Sequence, residues 1–134
     1  MAASLNSTIF CLSEDGYLNN DPEIFTHGEI KDAWYGQYVW TTMNQIYELK
    51  SMTYSVSQGW VYNWELFGEI ADIKKFEAVG NQVFILTNDG RLYHKGSAIT
   101  GLFDEAHETL THVFPNITFQ DFTFGSNTLT VLKE

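Results

Sequence analysis

The segment Val79–Gly96, with the sequence VGNQVFILTNDGRLYHKG, constrains the fold of this chain more than any other stretch. Its apolar run at residues 83–86 is followed by Asn88-Asp89-Gly90 and then by a second apolar pair. Two apolar segments joined by Asp-Gly are typical of a β-hairpin, because the turn requires positive φ and glycine adopts it without strain. The segment therefore predicts two antiparallel strands joined by a tight turn.

Related patterns recur on both sides of this segment. Gly36, Gly80 and Gly125 each precede a strand-like run, and they are spaced 44 and 45 residues apart. An aromatic-containing approach leads into each glycine, with the sequences IKDAWYG, IKKFEAVG and ITFQDFTFG. A period of roughly 40–50 residues made of strands is typical of β-propeller blades, which are four-stranded antiparallel sheets.

We therefore predict an all-β chain, a partial or small β-propeller of antiparallel four-stranded blades in a single domain. Its repeats are expected at approximately 1–29, 30–72 and 73–116, with 117–134 starting a further blade. Apolar residues at 102, 103, 106 and 110 have the spacing of one helical face and predict a short helical turn near 102–110. The expected structural turn residues are Gly16, Gly36, Gly80, Asp89, Gly90 and Gly125.

The motif of Val79–Gly96 resembles the core of a regulator-of-chromosome-condensation repeat. The run TIFCLSEDGYL from Thr8 is similar to the centre of that motif, and LTVLKE at the end of the sequence is similar to its strand. The copy at Gly36 departs from it, because Met43-Asn44-Gln45 replaces Asp-Gly. The resemblance implies propeller blades, and by family analogy guanine-nucleotide exchange on a small GTPase or docking on chromatin. Full members have seven blades with longer repeats, whereas this chain has material for about three.

The charge of the chain restricts its partners. With 17 acidic and 7 basic residues the net charge is −10, and Lys74-Lys75 is the only adjacent basic pair. Nucleic acids and anionic membranes are bound through clustered lysines and arginines, so neither is expected as a direct partner. The sequence shows no signal peptide and no apolar run of membrane-spanning length, and its single cysteine, Cys11, agrees with a reducing compartment. We therefore expect a cytoplasmic or nuclear protein.

Residues with catalytic chemistry do not form a recognisable pattern. His107 and His112 are five residues apart and do not match the HExxH zinc motif. His94 is expected to be structural or exposed, and Cys11 lies in an apolar run with no histidine near it in sequence. The sequence therefore predicts a protein that is not an enzyme and has no catalytic residue, cofactor or metal site.

Aromatic residues are the main candidates for binding. Strand alternation places Trp60, Tyr62 and Trp64 on one face, which suits either packing between blades or a partner-binding stripe. The same two interpretations apply to the aromatic residues between Trp34 and Trp40. The candidate partner-binding residues are Trp34, Tyr35, Tyr38, Trp40, Trp60, Tyr62, Trp64, Leu129 and Val131.

Three blades are too few for an ordinary ring, and an exposed strand edge is an association site. The expected function is therefore a non-enzymatic protein–protein interaction subunit. It would be completed by another protein chain or by self-association at its open ends, Thr8–Leu12 and Thr128–Leu132. Pairing of the first strand with the last blade would instead close a small ring. The alternatives are a small closed β-barrel that binds a hydrophobic or sugar ligand through its tryptophans, and a regulator of a small GTPase.

Overall fold

The computed structural model describes residues 2–5, 8–11, 25, 27–35 and 37–134. The chain divides into two compact units, Met1–Glu69 and Ile70–Glu134, which we describe separately. All regular secondary structure in the described residues is β-strand, and all strand pairs are antiparallel. The predicted all-β class and the antiparallel four-stranded sheets are confirmed.

The first unit contains a two-stranded and a four-stranded sheet. The two-stranded sheet pairs β1 (Ala2–Leu5) with β2 (Thr8–Cys11). The four-stranded sheet follows chain order, with β3 (Ile30–Trp34), β4 (Tyr38–Thr41), β5 (Gln45–Ser55) and β6 (Gly59–Glu69). Its buried core cluster consists of Phe25, Ile30, Ala33, Val39, Leu49 and Trp64.

The second unit has the same sheet sizes in the opposite order. Its four-stranded sheet contains β7 (Ile73–Val79), β8 (Gln82–Thr87), β9 (Leu92–Gly96) and β10 (His107–Val113), again in chain order. A hairpin of β11 (Phe119–Gly125) and β12 (Thr128–Lys133) follows. The core cluster joins the sheet to the hairpin through Phe84, Leu86, Leu92, Ile99, Val113, Phe119, Phe122 and Phe124.

Three hairpins, β3–β4, β7–β8 and β11–β12, share two local features. Each has a register shift after the first residue of its first strand, at Ile30/Asp32, Ile73/Lys75 and Phe119/Asp121. Each also has a backbone hydrogen bond that closes its open end, from the amides of Thr42, Asn88 and Glu134 to the carbonyls of Glu29, Asp72 and Thr118. The three hairpins therefore have the same bulge and the same closure, although their sequences differ.

The turn after β4 resembles the Asp89-Gly90 turn without containing Asp-Gly. The amide of Asn44 donates to the Thr41 carbonyl at 2.9 Å, as the amide of Gly90 does to the Thr87 carbonyl at 3.1 Å. Asn44 has a φ of 63° and Gly90 has a φ of 87°. Asparagine is one of the few residues that enter this left-handed region at modest cost, so Asn44 takes the place of the glycine.

Replacing Asn44 with glycine should stabilise the first unit by about 0.5 kcal/mol, because glycine adopts positive φ without a Cβ penalty. Urea unfolding followed by tryptophan fluorescence measures this, since all four tryptophans lie between Trp34 and Trp64. The matched control is Asn63→Gly, in the exposed part of β6, which should cost about 0.5–1 kcal/mol because glycine weakens a strand interior. Equal destabilisation by both changes would contradict the special role of Asn44.

Two sequence predictions in the second unit are wrong. The expected helical turn near 102–110 is absent; Ile99 and Phe103 form a bridged turn, and His107 already begins β10. The edge of β9 supplies backbone partners for β10, and this tertiary pairing overrides the local helical spacing. Gly125 is the last residue of β11 instead of a turn residue, and the turn is made by Ser126 (φ 52°) and Asn127 (φ 58°).

Gly80 has a φ of 60° between β7 and β8, and Gly90 lies in its turn, whereas Gly16 and Gly36 lie outside the described residues. The two four-stranded sheets lie within 30–72 and 73–116, and β11 and β12 lie within 117–134.

The described strands form separate sheets instead of one closed barrel. The described part of the chain contains no helix that is long and apolar enough to span a membrane.

Candidate interaction edge

Charged side chains of β7 attach β11 to the second unit's sheet. The Lys75 ammonium contacts the Asp121 carboxylate at 3.0 Å and also donates to the Phe122 carbonyl. The Glu77 carboxylate accepts from the Thr123 hydroxyl at 3.2 Å and from the Phe124 amide at 3.0 Å. The hydrogen bond from Lys75 lowers the pKa of Asp121 below its ordinary value. These contacts hold the hairpin in a defined position.

Aromatic packing attaches the other face of the hairpin. Phe122 and Phe124 are buried, and their ring centroids lie 6.0 and 4.7 Å from that of Phe84 in β8. Leu129, which is the register partner of Phe124, packs against the same cluster. The β11–β12 hairpin is therefore held by both polar and apolar contacts, and β12 is fixed in place through its pairing with β11.

Strand β12 presents a backbone edge. Among the described strands it pairs with β11 alone, whereas β8 pairs with both β7 and β9. A two-residue loop separates Gly125 from Thr128, so these two residues form a hydrogen-bonded pair. Along the antiparallel ladder, pairs that are hydrogen-bonded to each other then alternate with pairs that are not. The N–H and C=O groups of Leu129, Val131 and Lys133 consequently point away from β11. We call these groups the β12 edge.

The corresponding edge of β8 is paired. Thr87 occupies the same position in its hairpin as Lys133 does in its own. Each pairs with the residue just before the register shift, Thr87 with Ile73 and Lys133 with Phe119. The Thr87 amide donates to the carbonyl of Arg91, the residue before β9, at 2.9 Å. The β12 edge therefore has the geometry that β8 uses to bind a third strand.

Apolar and polar groups surround the β12 edge. Val131 and Leu132 are 40% and 55% exposed, on opposite faces of the strand. A shallow groove of about 330 Å³ is lined by residues of β11 and β12 and by Lys75. A strand added at this edge would cover the exposed side of Val131.

A chain of hydrogen-bonded polar side chains is centred on the buried His94, elsewhere in the second unit. His94 is fully buried, with its Nε2 at 2.6 Å from Gln82 Oε1 and its Nδ1 at 2.7 Å from His107 Nδ1. The Gln82 amide nitrogen donates to the Ser97 hydroxyl at 2.8 Å, and that hydroxyl donates to Asn81 Oδ1 at 3.4 Å. Sequence reasoning missed this chain, because its members come from different strands and are joined only by register.

The hydrogen-bond partners assign the protons of this chain. Gln82 Oε1 can only accept, so His94 Nε2 donates and His94 Nδ1 is left to accept from His107 Nδ1. Burial, together with the neighbouring His107, lowers the pKa of His94 to about 4. His94 is therefore neutral at pH 7.

The position of the histidine pair indicates a structural role. The register of β9 and β10 shifts between His107 and Thr111, and the contact between His94 and His107 crosses that irregularity. The ring of Phe103 lies 4.7 Å from the His94 ring and 4.9 Å from the His107 ring. Within the described residues, no group of three or more His, Cys, Asp or Glu side chains could hold a metal ion. The pair therefore joins β10 to β9.

Other residues singled out from the sequence have local roles. The Asp89 carboxylate accepts from the Arg91 guanidinium at 3.0 Å and from the Thr87 hydroxyl, which supports the turn. These hydrogen bonds lower the pKa of Asp89. The His112 ring stacks on that of Tyr93 at 5.3 Å. Cys11 is the last residue of β2.

Three aromatic candidates for partner binding require correction. Tyr38, Trp40 and Trp64 are buried, because every residue of β4 is covered, on both faces of the strand, and Trp64 packs on Phe25 in the core cluster. The Tyr38 hydroxyl donates to Glu48 at 3.3 Å, and burial together with this carboxylate raises the pKa of Tyr38. The Lys31 ammonium covers the Trp40 ring at 4.2 Å. These three side chains stabilise the sheet and are not accessible to a partner.

The other candidates vary in exposure. Trp34 and Tyr62 are half-buried, whereas Tyr35 is exposed in a turn with a φ of 57°. Leu129 is half-buried, and Val131 lies on the β12 edge. The side chain of Trp60 and the position of Leu12 lie outside the described part of the structure.

Comparisons with protein families, with curated proteins and with solved structures found no match for this chain.

Proposed function

We propose that this protein is a non-enzymatic protein–protein interaction subunit of the β-propeller type, and that its β12 edge binds an extended strand of a partner chain. The observation that carries the proposal is the relation of β12 to β8. Both are second strands of hairpins with the same bulge and closure, and β8 binds β9 along the edge that β12 presents. Strand addition supplies main-chain hydrogen bonds for affinity and alternate side-chain positions for specificity.

The strand register also indicates whether β1 or β2 is suited to pair with the β12 edge. Leu5 pairs with Thr8, three positions further along the chain, as Val79 pairs with Gln82. In the proposed repeat, β1 and β2 therefore correspond to β7 and β8, the first two strands of a blade. Completion of β12 requires an equivalent of β9, which favours a partner strand over ring closure by β1 or β2.

The surroundings of β12 indicate the chemistry of the partner strand. In the β8–β9 pair, Tyr93 lies opposite Ile85, and the flanking Leu92 and His94 side chains are buried. A strand with apolar residues at alternate positions would extend this packing over Val131. Basic residues beside that strand would favour association, because this chain carries a net charge of −10. Regulation of a small GTPase rests on the sequence resemblance alone and is not favoured by a described residue.

Amide hydrogen exchange should alternate along β12 in the isolated chain. The amides of Thr130 and Leu132 face β11 and should exchange slowly, whereas those of Leu129 and Val131 face outward and should exchange rapidly. Exchange measured residue by residue by NMR tests this pattern. Equal protection of all four amides would show that the edge is already covered and would contradict the proposal.

A peptide with the sequence of residues 90–97, GRLYHKGS, is a direct probe, because β9 binds the corresponding edge of β8. Fluorescence anisotropy of the labelled peptide should show saturable binding to the full chain. Val131→Pro should weaken that binding about tenfold or more, because proline removes an outward N–H and obstructs strand addition.

The matched control is Val131→Ala, which trims the same side chain and retains the N–H. Circular dichroism should show that both variants keep their strands. Binding reduced equally in both variants would assign the effect to side-chain loss, and no peptide binding to the unmodified chain would contradict strand addition at this edge.

A further inference from the structure

The Asp89-Gly90 pair is chemically reactive as well as forming a turn. No other Asp-Gly or Asn-Gly sequence occurs in the described part of the chain. In such a pair the glycine nitrogen can attack the aspartate carboxyl carbon, because glycine has no side chain to obstruct the approach. A C–N bond forms, the carboxyl hydroxyl leaves with the amide proton as water, and the product is a cyclic succinimide. Hydrolysis then opens the ring to aspartate or to isoaspartate.

Both reacting groups of this pair are held by hydrogen bonds. The Gly90 amide donates to the Thr87 carbonyl at 3.1 Å. The Asp89 carboxylate accepts from the Thr87 hydroxyl and from Arg91 Nε, which lies 3.1 and 3.0 Å from its two oxygens. These donors favour the ionised form and lower the pKa of Asp89, with the Thr87 hydroxyl as the largest cause. Because water leaves from the protonated carboxyl, the lowered pKa reduces the reactive fraction at neutral pH.

The Arg91 guanidinium is itself held beside Asp89. Its Nη1 donates to the Tyr93 hydroxyl at 3.1 Å, and its Cζ lies 5.8 Å from the centroid of the Tyr93 ring. Asp89, Tyr93 and Asp72 all act on Arg91 in the direction that favours its charged form. Arg91 therefore stays charged and close to the carboxylate, although its side chain is half exposed.

Gly90 is also enclosed by the start of β11. It is buried, and its carbonyl accepts from the Phe119 amide at 2.9 Å. A Cβ at Gly90 would clash with the Thr118 methyl group and lie 3.0 Å from the Phe119 carbonyl oxygen. Ring closure requires a near-attack geometry between the Asp89 carboxyl and the Gly90 nitrogen, and this packing limits the necessary rotation. Isoaspartate would add one backbone carbon between Asp89 and Gly90, which would displace Gly90 from Phe119.

We propose that Asp89 is a site of isoaspartate formation that Thr87 and Arg91 keep slow in the folded chain, and that its conversion loosens the β11–β12 hairpin. Thr87 and Arg91 are positioning residues, because they hold the reacting groups and do not react themselves. The hairpin is affected because β11 begins at Phe119, whose amide is bound by Gly90. The proposal concerns covalent chemistry within one turn and does not depend on the partner strand proposed for β12.

Incubation of the full chain at pH 6 and 37 °C, followed by tryptic mapping, measures the conversion. The tryptic peptide of residues 76–91 contains Asp89 as its single aspartate. Isoaspartate changes the retention and fragmentation of this peptide without changing its mass. A synthetic peptide of the same residues is the reference without the fold. Conversion in the folded chain should be about tenfold slower or more, because the fold restricts the geometry of attack.

Arg91→Gln should accelerate conversion in the folded chain about threefold or more, because loss of the guanidinium raises the pKa of Asp89. The decline of the rate with rising pH should also move to higher pH. Arg91→Lys keeps the positive charge and should retain part of the protection. The matched control is Lys133→Gln, which removes an exposed positive charge elsewhere in the second unit and should leave the rate unchanged.

The proposal is overturned if the folded chain converts as fast as the peptide, or if Arg91→Gln leaves both the rate and its pH profile unchanged. Should the Arg91 variants fail to fold, the pH profile of the unmodified chain decides. A profile identical to that of the peptide would show that conversion follows unfolding, and would reject the protective role of the turn. The Phe119 amide should exchange faster in the isolated isoaspartate form than in the unmodified chain, and equal exchange rejects the effect on the hairpin.

Discussion

At pH 4 the second unit should be about 3 kcal/mol less stable toward unfolding than at pH 7, because of His94. Burial lowers the pKa of this histidine from 6.5 to about 4 in the folded chain. Between these values the unfolded chain binds a proton that the folded chain does not, so stability rises with pH. The contribution is complete above about pH 6.5 and is lost as the pH falls toward 4.

Urea unfolding between pH 4 and pH 7, followed by far-ultraviolet circular dichroism, measures this loss. Tryptophan fluorescence monitors the first unit in the same samples, because all four tryptophans precede Glu69. Asp89 and Asp121 have pKa values held below 3.8, so their contributions disappear at lower pH than that of His94.

The control for this prediction is His94→Gln, which keeps a polar side chain but cannot titrate. The variant should be less stable at pH 7, since it disturbs the buried contacts of Gln82 and His107. Its stability should nevertheless depend much less on pH between 6.5 and 4. Equal pH dependence in the two proteins would show that another group is responsible.

Phe84→Ala should destabilise the second unit by about 3–5 kcal/mol, the usual cost of removing a buried aromatic ring. Phe84 is fully buried and lies at the meeting point of the sheet and the β11–β12 hairpin. Its ring centroid lies 4.7 Å from both His94 and Phe124. Alanine would leave a cavity between these two groups.

The same change tests how the β12 edge is supported. Because Phe84 contacts the buried rings of β11, exchange of the β11 and β12 amides should accelerate together with global unfolding. The control is Val79→Ala on the exposed end of β7, which should cost less than about 1 kcal/mol. A loss below about 1 kcal/mol for Phe84→Ala would contradict the central position given to this ring.

The strand class and the best turn were accessible from the sequence because they depend on neighbouring residues. Asp89-Gly90 needs positive φ and hydrogen bonds within four residues of Thr87, and these requirements are visible in the sequence itself. The turn at Asn44 follows the same rule, because asparagine is a known substitute for glycine at positive φ. Gly125 was predicted as a turn residue, but Ser126 and Asn127 adopt the positive φ values and form the turn one residue later.

Partner-accessible aromatic residues could not be separated from core residues by alternation alone. Alternation assigns side chains to two faces of a strand, but it does not say which face another element covers. Trp64 is covered by Phe25 in the first unit, with ring centroids 5.2 Å apart, although nothing in the local sequence of either residue indicates this contact. The helical spacing of residues 102–110 failed for a similar reason, since the strand that begins at His107 pairs with β9.

Val79–Gly96 thus encodes its own hairpin, because its apolar strands and its positive-φ turn interact over short distances along the chain. The chain of hydrogen bonds through His94, and the outward direction of the Val131 amide, depend on the register between strands. Register is set by which side chains are buried and where bulges occur, and a shift of one residue would reverse both arrangements. The tertiary structure alone therefore places His94 in its buried position and leaves β12 with β11 as its single strand neighbour among the described residues.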